Sequence, residues 1–230
     1  ERVIGRGRSG TVFLARHLGL DEERAIKRVR RTESGFIQEA ALLKRLRHPG
    51  IPIVYDVEED ENYSYLIEEY LEGESLYDLV KSEEYLCGES LYARIERTGS
   101  LQTGELIRLG IELCRIMNYL HSFKPNPILY LDLHPGNLLI CREQLKLIDF
   151  DQAALASLSQ ERSVCYGTKG FAAPEQYEGG TLDERTDIYA IGALLYYMGT
   201  GHAPEGEIKA GQGSCRGDLY ILMGRCLRTE

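Results

Sequence analysis

Tryptophan is absent from this chain, and no two of its six cysteines form a C-x-x-C pair. Cys87, Cys114, Cys141, Cys165, Cys215 and Cys226 fall at irregular spacing along 230 residues. Secreted disulfide scaffolds are shorter and denser in cysteine, so the thiols read as reduced and the chain as cytoplasmic. No signal-peptide pattern opens the sequence and no apolar run reaches membrane-spanning length. The longest such stretch, Ile188–Met198, is interrupted by Gly192 and carries three tyrosines, so it is expected as a buried helix. Positive charge is also scarce: 27 Lys and Arg against 36 Asp and Glu give a net charge of −9. That balance argues against general nucleic-acid binding and against attachment of this segment to an anionic membrane. Membrane or sensor segments flanking it stay open. What is plentiful is apolar material, 43 % of residues, enough for one large domain or two lobes.

The stretch that organises the rest is residues 129–151, LYLDLHPGNLLICREQLKLIDFD. Pro135 and Gly136 place Asp132 and Asn137 on a loop. Leu138, Leu139 and Ile140 read as a short strand, Glu143-Gln144 as a turn, and Leu145, Leu147 and Ile148 as a second strand delivering Asp149. Two carboxylates and an amide at such a hairpin suit holding Mg²⁺ against phosphate oxygens and orienting a hydroxyl. Taken alone, an acidic turn on an unrelated fold would carry the same three residues.

In this stretch the sequence resembles the protein kinase superfamily, the bacterial-type serine/threonine kinase catalytic domain in particular. The catalytic loop H-R-D-x-x-x-x-N corresponds to Tyr130-Leu131-Asp132 through Asn137, and D-F-G to Asp149-Phe150-Asp151. The resemblance implies an α+β bilobal fold: a small sheet lobe with one main helix at 1–70, and a larger, mainly helical lobe at 71–230 with an insertion near 81–98. ATP would lie between the lobes. Asp132 becomes the catalytic base or substrate-orienting carboxylate, and Asn137 and Asp149 the ligands of Mg²⁺, or of Mn²⁺ in its place.

Upstream motifs follow in the family's order. Gly5, Gly7 and Gly10 make a G-x-G-x-x-G pattern, weak alone because dinucleotide-binding folds share it. Here strand-like residues from Thr11 follow it, which suits a phosphate-covering hairpin. Ala25-Ile26-Lys27 resembles the strand ending in the phosphate-binding lysine; Arg24, Arg28, Arg30 and Arg31 are the ordinary surface alternative. Residues 34–47 read as a helix with Phe36, Ala40, Leu43 and Leu46 on one stripe, and Glu39 beside it matches the lysine's acidic partner. His48-Pro49 ends that helix. Strands at Ile53–Val57 and Tyr63–Tyr70 lead to a hinge, and the resemblance adds Val12, Ala25, Glu69, Leu71 and Leu139 to the nucleotide-binding set. Glu68 falls where the family has an apolar residue; buried, it needs a partner or a raised pKa.

Residues 70–80 are echoed at 85–95, YLEGESLYDLV against YLCGESLYARI. One such duplication is too short for a solenoid, and an added helix or a neutral insertion both account for it. Gly104–Ser122 is an amphipathic helix explained by core packing. Residues 149–175 match the activation segment as a loop. It ends on Ala173-Pro174-Glu175, with Thr168 matching the threonine that supports the catalytic aspartate, and Ser157, Ser159, Ser163 and Tyr166 offering hydroxyls. Asp187 matches the residue bracing the catalytic loop; a plain helix cap is the other reading. Leu219–Leu227 reads as a last helix. The arginine that pairs with the A-P-E glutamate is not evident, and the C-terminal end looks incomplete against the family.

Three residues depart from the pattern. Leu131 replaces the arginine that grips a phosphorylated activation segment, so no strict requirement for loop phosphorylation is expected. His134 replaces the lysine that steadies the transferring phosphate, a task open to a protonated ring or a neutral donor. Asp151 replaces glycine. The phrase DLHPGN is also similar to the loop of aminoglycoside and choline phosphotransferases. The A-P-E region weighs more, and the reading is an ATP-dependent serine/threonine protein kinase acting on protein substrates, with the protein itself one candidate among them. A small-molecule phosphotransferase and a nucleotide-binding pseudokinase scaffold are the alternatives.

Overall fold

The structure, a computed structural model, describes residues 2–7, 10–31, 36–71, 89–159, 167–205 and 217–228. In chain order the elements are β1 (Arg2–Gly7), β2 (Gly10–His17), β3 (Glu22–Arg30), α1 (Phe36–Leu43), β4 (Val54–Glu59), β5 (Tyr63–Glu69), β6 (Glu89–Ser90), α2 (Leu91–Thr98), α3 (Thr103–His121) and β7 (Ile128–Leu129). A 3₁₀ turn at Pro135–Asn137 follows, then β8 (Leu138–Cys141), β9 (Gln144–Leu147), β10 (Ala154–Leu155), α4 (Ala156–Ser159), α5 (Pro174–Glu178), α6 (Glu184–Thr200) and α7 (Gly217–Cys226). The chain forms two compact units: Glu1–Ser90 with Leu139–Asp151, and Leu91–Leu138 with Gln152–Glu230. The division is therefore not one cut at residue 70, because the 139–151 hairpin groups with the strand-rich unit. Leu147 N–H donates to Gly50 O at 2.8 Å, and β6 pairs with β8.

The strand-rich unit is built on a five-stranded antiparallel sheet, ordered β1-β2-β3-β5-β4. Alternation in β3 turns Ala25, Lys27 and Val29 inward and leaves its other residues less buried. Gly10 is required at the start of β2: its φ is +133°, and a Cβ there would lie 2.4 Å from the Arg28 carbonyl oxygen. Sheet geometry alone thus explains one glycine of the loop pattern. Helix α1 is shorter than the 34–47 expectation. After Leu43 the backbone tightens into i→i+3 bonds, Arg45 to Leu42 and Leu46 to Leu43, both 3.0 Å, which still bury Leu46. The turn between β8 and β9 lies one residue earlier than expected, at Arg142-Glu143, with φ of 47° and 68°.

The second unit is mainly helical. Leu106, Leu109, Leu113, Ile116 and Leu120 form the buried stripe of α3, as its periodicity predicts. Helix α6 is buried over most of its circumference. Gly192 serves its packing, since a Cβ there would meet Cys226 Cβ of α7 at 2.5 Å. The cap of α6 is Asp183, which accepts from Arg185 N–H at 2.8 Å, so Asp187 lies inside the helix and does not cap it. The activation segment is not all loop, because β10 pairs antiparallel with β7 and α4 follows. Residues 72–88, which hold most of the duplicated segment, lie outside the described residues, as do Ser163, Tyr166 and Arg216; the second copy ends in β6 and α2. Among the described residues, no helix is long and apolar enough to cross a membrane.

Glu68 is half-buried on the inward face of β5, in register with Ala25 and Val54. Burial pushes its carboxyl up to about 7; Lys27 pulls it down, while Asp149, Asp151 and Glu69 push it further up. The folded chain therefore holds this proton over a range where the unfolded chain has released it. Stability from that proton is full below the unfolded value of 4.5 and is lost as pH rises through about 7. Glu68→Gln should gain about 1–2 kcal/mol over wild type between pH 5 and pH 8, a value reduced from the full shift for partial solvent screening. Urea unfolding of both proteins at the two pH values checks this; an equal change for both would rule it out.

Candidate functional site

In the helical unit, the sequence around Asp132 is held by side chains from distant elements. Tyr130 and Leu131 N–H both donate to the fully buried Asp187 carboxylate at 2.9 Å, and His121 Nε2 lies 2.8 Å from the same group. This hold is needed because Leu131 adopts φ of +68°, a left-handed conformation unfavourable for a branched side chain. Its side chain lies in a buried cluster with Leu129, Ala154 and Leu182, against which Ala156 packs. Asp132 therefore leaves the turn in a fixed direction. Its Oδ1 accepts from Thr168 Oγ1 at 2.9 Å, and its carbonyl accepts from Asn137 Nδ2 at 3.0 Å.

His134 caps the 3₁₀ turn: its Nδ1 accepts from Gly136 N–H at 3.1 Å. An accepting Nδ1 puts the ring proton on Nε2, which lies 3.8 Å from Asp132 Oδ2. The ring can therefore donate while neutral. With its Nδ2 donating to the Asp132 carbonyl, Asn137 has its amide oxygen as an acceptor atom.

In the strand-rich unit, the buried Lys27 is the centre of a charge cluster. Its Nζ lies 3.3 Å from Asp149 Oδ1 and in close contact with Asp151 Oδ1. Burial pushes the Asp149 carboxyl up, Lys27 pulls it down, and Asp151 pushes it up. Asp149 itself has φ of +60°, and its Oδ1 accepts from Asp151 N–H at 3.4 Å. Val12 pairs with Lys27 across the ladder, Leu14 with Ala25, and Gly5 lies over Val12 with its Cβ position 3.7 Å from that side chain. Glu69 ends β5 with its N–H on Ile53 O at 2.8 Å and its carboxylate 3.5 Å from Lys146. Leu71 follows directly, and Leu139 is buried in β8. Gly7 ends β1. Glu39 lies on α1, with its side chain outside the described set.

Several contacts were not foreseen from the sequence. Asp151 was noted as a departure, yet its contact with Lys27 needs the three-dimensional path of residues 149–151. The A-P-E glutamate, Glu175, accepts from Thr186 Oγ1 at 2.8 Å, a hydroxyl where the family pattern leads one to look for an arginine. Gln176 and His121 carried no sequence signal beyond their polarity.

The model of the family described as "Protein kinase domain" matches residues 1–216. Among curated proteins, the chain is 32 % identical over 231 residues to serine/threonine-protein kinase PknD of Chlamydia trachomatis, covering 86 % of this chain and 24 % of that protein. It is 31 % identical over 219 residues to serine/threonine-protein kinase PknB of Mycobacterium tuberculosis, covering 88 % and 32 %. It is 32 % identical over 207 residues to sperm motility kinase 2B of Mus musculus, covering 88 % and 39 %. The chain thus spans between about a quarter and two-fifths of the length of these relatives. A family match that runs through both compact units, over residues 1–216, means that this chain belongs to the protein kinase domain family.

Proposed function

We propose that the chain transfers the γ-phosphoryl group of ATP to serine or threonine hydroxyls of protein substrates, itself among them. The observation that carries this reading is the 2.9 Å hydrogen bond from Thr168 to Asp132. It ties the acceptor-orienting carboxylate to the segment that ends in Ala173-Pro174-Glu175, the part that would seat a peptide. The names of the bacterial relatives, both serine/threonine-protein kinases, point the same way. The small-molecule alternative draws on Asp151 and on the His134 loop; the acceptor test below separates it.

Thr168 occupies Asp132 Oδ1, so Oδ2 is the oxygen assigned to the acceptor hydroxyl, orienting it for in-line attack and taking its proton. His134 Nε2, beside Oδ2, is assigned as a neutral donor to a phosphate oxygen. Lys27 is assigned to the α- and β-phosphates, with Glu39 as a further carboxylate for its head. Gly5, Gly7 and Gly10 bring backbone amides over the phosphates. Val12, Ala25 and Leu139 offer apolar surface, and the backbone at Glu69 and Leu71 hydrogen-bonding groups, for the base. Asp149 offers carboxylate oxygens and Asn137 an amide oxygen, a donor chemistry that fits Mg²⁺, or Mn²⁺ in its place. Such a cation, when bound, neutralises phosphate charge.

Asp132→Asn should lower phosphoryl transfer by about 10²–10⁴-fold and leave ATP affinity nearly unchanged. The assay is transfer from γ-labelled ATP to the protein, to a basic protein, and to aminoglycosides and amino alcohols, with nucleotide binding measured separately. Label on small molecules alone would replace the protein-kinase reading, and ATP binding without any transfer would favour a scaffold. Thr168→Ala should cost roughly tenfold in turnover, the worth of one hydrogen bond to a charged group. Undiminished turnover in that variant would remove the observation on which the reading rests.

A further inference from the structure

Among the described buried polar side chains of the helical unit, Gln176 has no part in the functional reading. Gln176, on α5, is only 3 % exposed, and both ends of its carboxamide are engaged. Its Oε1 accepts from Ala173 N–H at 3.0 Å. Its Nε2 donates to the Leu131 carbonyl at 2.7 Å, across 45 positions of sequence. That carbonyl belongs to the peptide that joins Leu131 to Asp132.

A second observation places the same amide against the other half of the Asp132–Thr168 pair. A Cβ added to Gly167 would stand 2.3 Å from Ala172 Cβ and 3.0 Å from Gln176 Nε2. The backbone that leads into Thr168 therefore runs directly over the Gln176 amide, and only glycine fits there. Tyr177, the next residue, donates its hydroxyl to Gly167 O at 3.0 Å, which holds that backbone in place.

We infer that Gln176 is a positioning residue for phosphoryl transfer: its carboxamide sets the spacing between the peptide that delivers Asp132 and the peptide that delivers Thr168. The inference rests on the functional reading above and deepens it. Leu131 is gripped through both of the peptides that flank it, its N–H by Asp187 at 2.9 Å and its carbonyl by Gln176. A side chain that only filled space would not need the donor. Glutamate keeps the size of glutamine and an oxygen for Ala173 N–H, yet an ionised carboxylate presents an acceptor to the Leu131 carbonyl. Methionine keeps the length and supplies neither contact of comparable strength.

The test compares wild type with Gln176→Met and Gln176→Glu, the second variant covering the case in which the first does not fold. Turnover, the Kd for ATP, and hydrogen–deuterium exchange of a peptide covering residues 129–134 are measured on each. The expected result is a fall in kcat of roughly 10- to 100-fold, ATP affinity within about twofold of wild type, and faster exchange confined to the 129–134 peptide and its neighbours. Unchanged kcat in a folded variant would overturn the proposal. So would loss of ATP affinity in step with kcat, the mark of a general structural role. If wild type itself transferred no phosphate, the functional reading would fail separately. Exchange at 129–134 would then decide the clamp, faster in the variants if it exists and unchanged if it does not.

Discussion

The peptide at Leu131 is the constraint around which the helical unit is arranged. A left-handed backbone at a leucine is unfavourable, and burying polar peptide groups without partners would add a further cost. Both are offset locally. Asp187 accepts from two successive N–H groups, and Gln176 donates to the carbonyl. Because Asp187 projects from the most buried helix of the unit, the direction of the catalytic loop is tied to the core and not to surface contacts. Asp132 inherits that direction, and Thr168 then selects which of its oxygens is occupied.

The strand-rich unit meets a different constraint, a lysine head buried on the inner face of a sheet. Lys27 lies on the inward face of a sheet, where desolvation opposes its charge, and two carboxylates from a short turn compensate. The compensation also spreads to neighbours. The same carboxylates that lie against Lys27 push the Glu68 carboxyl upward, so the sheet carries one acid that titrates at about 7 beside two others. An apolar residue at that position would lack this titration altogether.

Much of this was legible in the sequence because it depends on local pattern. The glycine hairpin, β3 with Lys27, the α3 stripe and the β8–β9 hairpin all follow from period and punctuation. The order of motifs was enough to suggest the family. The one-residue error in the β8–β9 turn has a plain cause: Arg142 and Glu143 hold positive φ without the Asn-Gly or Asp-Gly signal that marks such turns. The length of α1 was overestimated because Leu46 continues the apolar stripe from a 3₁₀ turn, where helical periodicity cannot see the change. Gln176, His121 and the Thr186–Glu175 bond were not legible at all. Each depends on a partner between 11 and 66 positions away, and single polar residues carry no periodic signal.

The Leu131 cluster has a bearing on how order in the activation segment can be altered. The side chains of Leu129, Leu131, Ala154 and Leu182 meet through carbon, with Ala156 closing one side, and the Ala154–Leu129 backbone pairing adds only uncharged groups. Contacts of that kind are not screened by salt and offer no charge for a kinase or phosphatase to add or remove. The part of the segment at Ala154–Ala156 is therefore coupled to the folding equilibrium of the unit around it. Heat, denaturant or a ligand that changes that equilibrium will reach those residues, whereas a change in ionic strength acts on the Lys27 ion pairs of Asp149 and Asp151.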